Sequence, residues 1–321
     1  MKKAVKLVLM ILTGILLLVT VTLLVSFIFH RTQLSNEDAQ FTPSGRLTEV
    51  NGHNIHVFDT FQGDETLVFM SGGATPSPVL DFKSLYSLLS ENYRIVVIEK
   101  AGYGFSDVTD SDRDIDTILS ETRESLQSLG IESPYILFPH SMSGIEALYW
   151  AQQYPKEVKA IVGLDMSVPA GYEHFEPPMP IVYLTSIAAN TGMMRWSDTL
   201  SETDAVKYGT LSSEDKDLHR IIFYRRTLTE NMINEIKNAK LNAQKIQETS
   251  IDVPMLLFSS NGENTGMDND LWIKIQESFA AGSENRELIP IDAPHYIHNF
   301  EYDEIARHSS SFIESLDERT P

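Results

Sequence analysis

The chain has no cysteine among its 321 residues. That excludes a disulfide framework and a cysteine-held metal site. It is also poor in positive charge, with 25 Lys and Arg against 45 Asp and Glu and a net charge of −20. The first 31 residues hold Lys2, Lys3, Lys6 and Arg31 and no acid, so the remainder carries −24. Such a surface argues against nucleic acid or an anionic membrane surface as the ligand. No internal repeat and no long low-complexity tract is present. A P-loop is missing, and so is a dinucleotide fingerprint, since Gly102-x-Gly104 is a lone fragment. No metal motif stands out: His53 and His56 lie on a predicted strand, where three-residue spacing sends their imidazoles to opposite faces. Neither a cofactor nor a metal is expected.

Long apolar runs are scarce too, with one exception. Leu7–Phe29 is 23 residues without a charge, preceded by three lysines. That is enough to span about 30 Å of hydrocarbon as a helix. The run ends VSFIFHR, a poor cleavage site, which favours an uncleaved anchor over a removed signal peptide. Lysines before the run, against the single Arg31 after it, put the amino terminus in the cytoplasm. The expectation is a single-pass protein of the cell membrane, with residues 1–31 as cytoplasmic terminus and anchor, 32–45 as a linker, and the remaining domain extracellular. Deleting residues 1–31 is expected to leave a soluble, active domain.

Beyond residue 45 the pattern alternates. Arg46–Val50 and Asn54–Phe61 read as strands joined at Asn51-Gly52, a hairpin signal. Thr66–Met70, Arg94–Glu99, Tyr135–Phe138 and Lys159–Leu164 are short apolar runs. Helical spacing lies between them, at Pro78–Glu91, Ile115–Leu129 and the stretch after Ser141. Strand–helix alternation predicts an α/β fold, a mostly parallel central sheet flanked by helices. Residues 166–251 contain little that reads as strand, with helical stretches near Ile181–Met194, Asp215–Leu228 and Glu230–Ile246. They are expected to form a helical cap inserted into a core of residues 46–165 and 252–321. The sheet then resumes with Pro254–Ser259 and Arg286–Ile291, with helices over Asn269–Ala281 and Tyr302–Leu316.

In such sheets the site lies beyond the carboxyl ends of the strands. Ser71-Gly72-Gly73, Glu99, Ser141 and Asp165 all fall there. Tyr135–Tyr149 (YILFPHSMSGIEALY) reads as a strand turning into a helix around one serine, the geometry of a nucleophile elbow. Pro139 and Ser143 stand where G-x-S-x-G has glycines. The alternative reading is a plain strand–helix loop with a serine near the helix N-cap.

Four segments resemble the α/β-hydrolase superfamily: LVFMSGGA (67–74), VVIEKAGYGFSD (96–107), ILFPHSMSGIEALYWAQQYPKEVKAIVGLD (136–165) and APHYIHNFEYDEIARHSSSFI (293–313). In order and spacing they cover residues 46–316. The resemblance implies a serine hydrolase with Ser141 as nucleophile and His295 as base. It leaves the acid open between Asp165 and Glu263, leaning to Asp165. It also implies an oxyanion hole from the amides of Gly73 and Met142, and it places His140 in a packing position beside the elbow. Glu99 is expected to hold loops. Serine at the nucleophile position weighs against the superfamily's dehalogenases and epoxide hydrolases, which use aspartate. The implied reaction is cleavage of a small-molecule carboxylic ester, or an amide, through an acyl-enzyme. An anchored aminopeptidase-like hydrolase and a non-catalytic binding or signalling protein on the same fold are the alternatives. Tyr172, Phe175, Met193, Met194, Trp196, Phe223 and Tyr224 are candidate cap residues for the pocket wall, or else the core of the cap. The membrane is contacted through the amino-terminal helix, and the sequence identifies no protein partner.

Overall fold

The computed structural model describes residues 2–248 and 251–318. Thr249 and Ser250 of the expected cap, and residues 319–321 of the expected core, lie outside them.

Eight strands form one sheet: β1 (Arg46–Val50), β2 (His53–Asp59), β3 (Thr66–Met70), β4 (Arg94–Glu99), β5 (Tyr135–Pro139), β6 (Val158–Leu164), β7 (Met255–Ser259) and β8 (Arg286–Pro290). Their spatial order is β1-β2-β4-β3-β5-β6-β7-β8. Only β2 runs antiparallel to its neighbours, and every pairing from β4 to β8 is parallel. The helices are α1 (Lys2–Glu37), α2 (Pro78–Asp81), α3 (Lys83–Leu89), α4 (Ile115–Ser128), α5 (Ser143–Gln153), α6 (Met179–Asn190), α7 (Asp204–Lys207), α8 (Ser213–Arg226), α9 (Glu230–Ala243), α10 (Asn269–Ala281) and α11 (Tyr302–Glu318).

The inner strands β3 to β7 are mostly apolar and buried because both sheet faces are covered there, while β1 and β8 at the edges carry charged, partly exposed residues. Alternate residues serve opposite cores. Val68, Met70, Val96, Ile98 and Leu137 pack with Leu119, Ile145, Leu148 and Phe279 of α4, α5 and α10. Leu67, Phe69, Ile95, Val97, Ile136 and Phe138 pack with Leu85, Leu89, Ile305 and Phe312 of α3 and α11. The helix starts are set locally. The Asp114 carboxylate accepts from the Asp116 and Thr117 amides at the start of α4, and Asp268 accepts from Leu271 at the start of α10.

Between β6 and β7 the described residues form helices and 3-10 turns and no strand. Three expectations need correction. The 32–45 segment is not a linker from its start: α1 continues unbroken to Glu37, since Thr32–Glu37 contains no glycine or proline to stop it. The helix predicted over Pro78–Glu91 is two, divided at Phe82. The helix predicted to reach Met194 ends at Asn190, before Gly192 at φ 74°.

Candidate active site

The parallel strands point their carboxyl ends at one rim, where four loops converge. Ser141 follows β5. Its φ is 52°, in the left-handed region that residues with a Cβ seldom occupy. Hydrogen bonds on both sides hold it there. The His140 amide donates to Met70 O at 3.0 Å, and Ser143 N to His140 O at 3.2 Å. Gly144 N and Ser167 N both donate to Ser141 O, at 2.9 and 2.8 Å. Ser143 fits in place of glycine because its hydroxyl has work to do, donating to Met70 O (2.6 Å) and lying 2.9 Å from His140 O. Pro139 has no N–H to contribute, and the chain resumes its bond to β3 one residue later, through His140.

His295 lies in the loop after β8, fixed by its amide bond to Glu263 O at 2.9 Å. Its Nε2 is 2.7 Å from Ser141 Oγ, and its Nδ1 is 2.5 Å from Asp165 Oδ2. Asp165 follows β6 and is fully buried. Its other oxygen accepts from Ser260 N at 2.8 Å and Trp272 Nε1 at 2.9 Å. Three contacts on a buried carboxylate fix its orientation. In this arrangement Nδ1–H donates to Asp165, which leaves Nε2 to accept the Ser141 proton. The Glu263 side chain is exposed, and what this residue gives His295 is its main-chain carbonyl. Of the two acids the sequence leaves open, the geometry brings Asp165 to the imidazole.

The Gly73 and Met142 amides stand on facing loops, and among the described residues neither donates to a protein acceptor. The approach is close. A Cβ at Gly73 would lie 2.8 Å from Met142 Cε, and one at Gly72 would lie 2.8 Å from Ser141 Cβ. Gly72 therefore needs to be glycine, while at Gly73 only the flexible end of Met142 stands in the way. A narrow cavity of about 70 Å3 opens at Ser141, walled by Met142, Tyr172, Phe175, Met267 and Trp272.

Of the candidate wall residues, Tyr172 and Phe175 line this cavity. Phe223 lines a second one, of about 260 Å3, with Ala74, Asp81, His219 and Tyr296. Trp196 and Tyr224 lie elsewhere: Trp196 Nε1 donates to Ser26 Oγ at 2.9 Å, and Arg195 lies over the Tyr224 ring. Met193 and Met194 sit in the 3-10 turn against α1.

His140 is fully buried, with Nε2 3.2 Å from His295 O. Burial, reinforced by the neighbouring imidazoles of His298 and His295, holds its pKa well below the ordinary histidine range. It is a neutral packing group behind the base. His298 faces Asp81 at 2.9 Å. Glu99 accepts from the Phe105 amide (2.7 Å) and pairs with His56 (2.9 Å), so it holds loops. Sequence reading missed Trp272 and Ser260, which orient Asp165, because nothing in their local pattern signals a partner so distant along the chain.

The sequence profile of the family described as "alpha/beta hydrolase fold" matches residues 65–302. Uncharacterized protein YbdG of Bacillus subtilis (strain 168) is 32% identical over 329 aligned positions, covering 98% of each chain. Among solved structures, epoxide hydrolase VrEH1 from Vigna radiata superposes with a TM-score of 0.66 at 20% identity, over 84% of this chain and 97% of its own. The enol-lactonase from Burkholderia xenovorans LB400 superposes with a TM-score of 0.59 at 15% identity, over 84% of this chain and 100% of its own. At these identities the two structures speak for the fold.

Proposed function

The chain belongs to the alpha/beta hydrolase fold family, and from that premise we propose that it is a serine hydrolase cleaving a carboxylic ester through an acyl-enzyme on Ser141. The supporting observation is the unbroken Ser141–His295–Asp165 chain at 2.7 and 2.5 Å. His295 Nε2 takes the hydroxyl proton as Ser141 Oγ attacks the carbonyl carbon. The Gly73 and Met142 amides receive the oxyanion. The imidazolium, steadied by Asp165, then protonates the departing alcohol, and water reverses the sequence to free the acid. An ester is favoured over an aminoacyl amide because, among the described residues lining the cavity at Ser141, none is a carboxylate that would greet an amine. In this reading the helical insert caps the pocket. The helix α1, long and apolar enough to cross a membrane, anchors the protein with its amino terminus in the cytoplasm and its hydrolase domain outside.

The test is a fluorophosphonate probe on the full-length protein. Wild type should label, and Ser141→Ala should not. A panel of p-nitrophenyl esters and aminoacyl anilides should show turnover of the esters first. A folded wild-type protein that stays unlabelled supports a binding protein instead.

A further inference from the structure

Outside α1, the most prominent exposed apolar surface belongs to α6. Its sequence, MPIVYLTSIAAN, has no charge, in a chain whose net charge is −20. Ile181, Leu184 and Ile187 recur every third residue, so they form one stripe, and they are 63%, 66% and 54% exposed. Tyr183 and Trp196 are also exposed beside it. A stripe of this kind on a water-facing helix calls for an occupant.

The position of α6 indicates which one. The helix runs directly into the Met193–Trp196 turn, and that turn grips α1 near the end of its apolar run. Trp196 bonds Ser26 at 2.9 Å. Arg195 Nε donates to His30 Nδ1 at 2.9 Å, and its guanidinium makes a two-pronged pair with Glu37 at 2.8 and 2.7 Å. A Cβ on Gly192 would meet His30 Cβ at 2.3 Å, so the backbone itself rests on α1. Ser26 and His30 are buried by this contact, while Phe27, Ile28 and Phe29 around them stay exposed. The turn and the carboxyl end of α6, where Ala189 and Asn190 share a cavity with Phe27 and His30, thus stand level with the last apolar turn of α1.

We infer that the Ile181–Leu184–Ile187 face of α6, with Trp196, is seated in the lipid–water boundary at the carboxyl end of α1, its occupant being the bilayer that α1 crosses. This rests on the reading of α1 as an anchor and extends it to the insert. An uncharged apolar stripe with Tyr183 and Trp196 exposed near it suits that boundary. The stripe itself carries no charge, so its contact with zwitterionic lipid is apolar and indifferent to salt. Only Glu176–Pro178 separates α6 from Gly171–Phe175, which walls the cavity at Ser141.

The absence of cysteine makes the test clean, since any introduced thiol labels alone. The full chain is reconstituted in phosphatidylcholine vesicles as Leu184→Cys, Ile187→Cys, Leu18→Cys or Phe61→Cys, each carrying a fluorophore. Phe61 is 62% exposed, just past the end of β2, which runs antiparallel and so ends at the side of the sheet away from the carboxyl-end rim that holds Ser141. Nitroxide lipids should quench the labels at 184, 187 and 18, with no loss at 61 and no change in high salt. Quenching at 18 without quenching at 184 or 187 overturns the inference. So does a blue shift at 184 that follows protein density without quenching, which means a second copy covers the stripe. No quenching at 18 overturns the anchor as well. None of these readouts involves turnover, so the loss of phosphonate labelling would sink the hydrolase reading and leave this result standing.

Discussion

Ser141 and Asp165 both stand on left-handed backbone, at φ 52° and 47°. Each such residue costs about 1–2 kcal/mol, and the cost is met by the bonds around it. Ser141 O takes two amides, and Asp165 N donates to Phe258 O at 2.8 Å. Strain at these two positions aims both side chains at His295 from neighbouring strands. The proposed roles of the two acids separate by mutation. Asp165→Asn should lower kcat by about 10^3- to 10^4-fold, by analogy with the loss of the orienting carboxylate in other triads. Glu263→Gln should leave kcat unchanged, because the carboxylate there faces water; the reverse pattern in steady-state kinetics would overturn the assignment. Ser141 and His295 were visible in the sequence because each sits in a local pattern. The acid was not, because its identity is a contact between Asp165 and a loop 130 residues away. The substituted elbow was equally opaque: only coordinates show the Ser143 hydroxyl bonded to Met70 O.

At the scale of elements, the strands were legible and the joints between layers were not. Thr66–Met70 and Arg94–Glu99 match their predicted ends because a five- or six-residue apolar run bounded by turns has one use in this fold. The junction of insert and core joins an apolar cluster of Leu80, Phe105, Ala205, Leu211 and Ile222 to a hidden polar one. Lys100, just past β4, bonds Glu146 of α5 at 2.7 Å and also bonds Glu235 of α9, whose other oxygen accepts from Tyr103 at 3.0 Å. Burial works to lower the Lys100 pKa, but the two carboxylates outweigh it and raise it. The one hint was Glu146, a charge within an otherwise apolar helix. Lys100→Met would leave two buried carboxylates facing each other and should destabilise the protein by about 3–5 kcal/mol. It should also make α9 the first site of limited proteolysis. Thermal unfolding that matches wild type, with α9 still protected, would show that the insert is held by other contacts.

At the scale of the whole molecule, α1 is part of the body rather than an appendage. The sequence predicts that removing residues 1–31 leaves a soluble, active domain, and the structure adds a cost in stability to that expectation. The structure shows that this deletion takes away Ser26 and His30 and uncovers the seat of Gly192 and Trp196, with Arg195 keeping Glu37 alone. The truncated chain should unfold more easily by roughly 2 kcal/mol, at about 1 kcal/mol for each lost bond. A melting temperature equal to that of the full chain would show the seat to be idle. Sequence reading missed it because a run of leucines predicts a span but says nothing of which neighbour leans on its end.

The same helix has a mechanical consequence. A flexible leash would let the globular part wander through a hemisphere above its attachment point. A jointless rod clasped along its upper third allows only rotation and drift. On the proposed reading of α1 as a membrane anchor, such a mast keeps the cleft patrolling a single plane at constant height, and its encounters depend on how crowded that plane is rather than on how concentrated the surrounding fluid is.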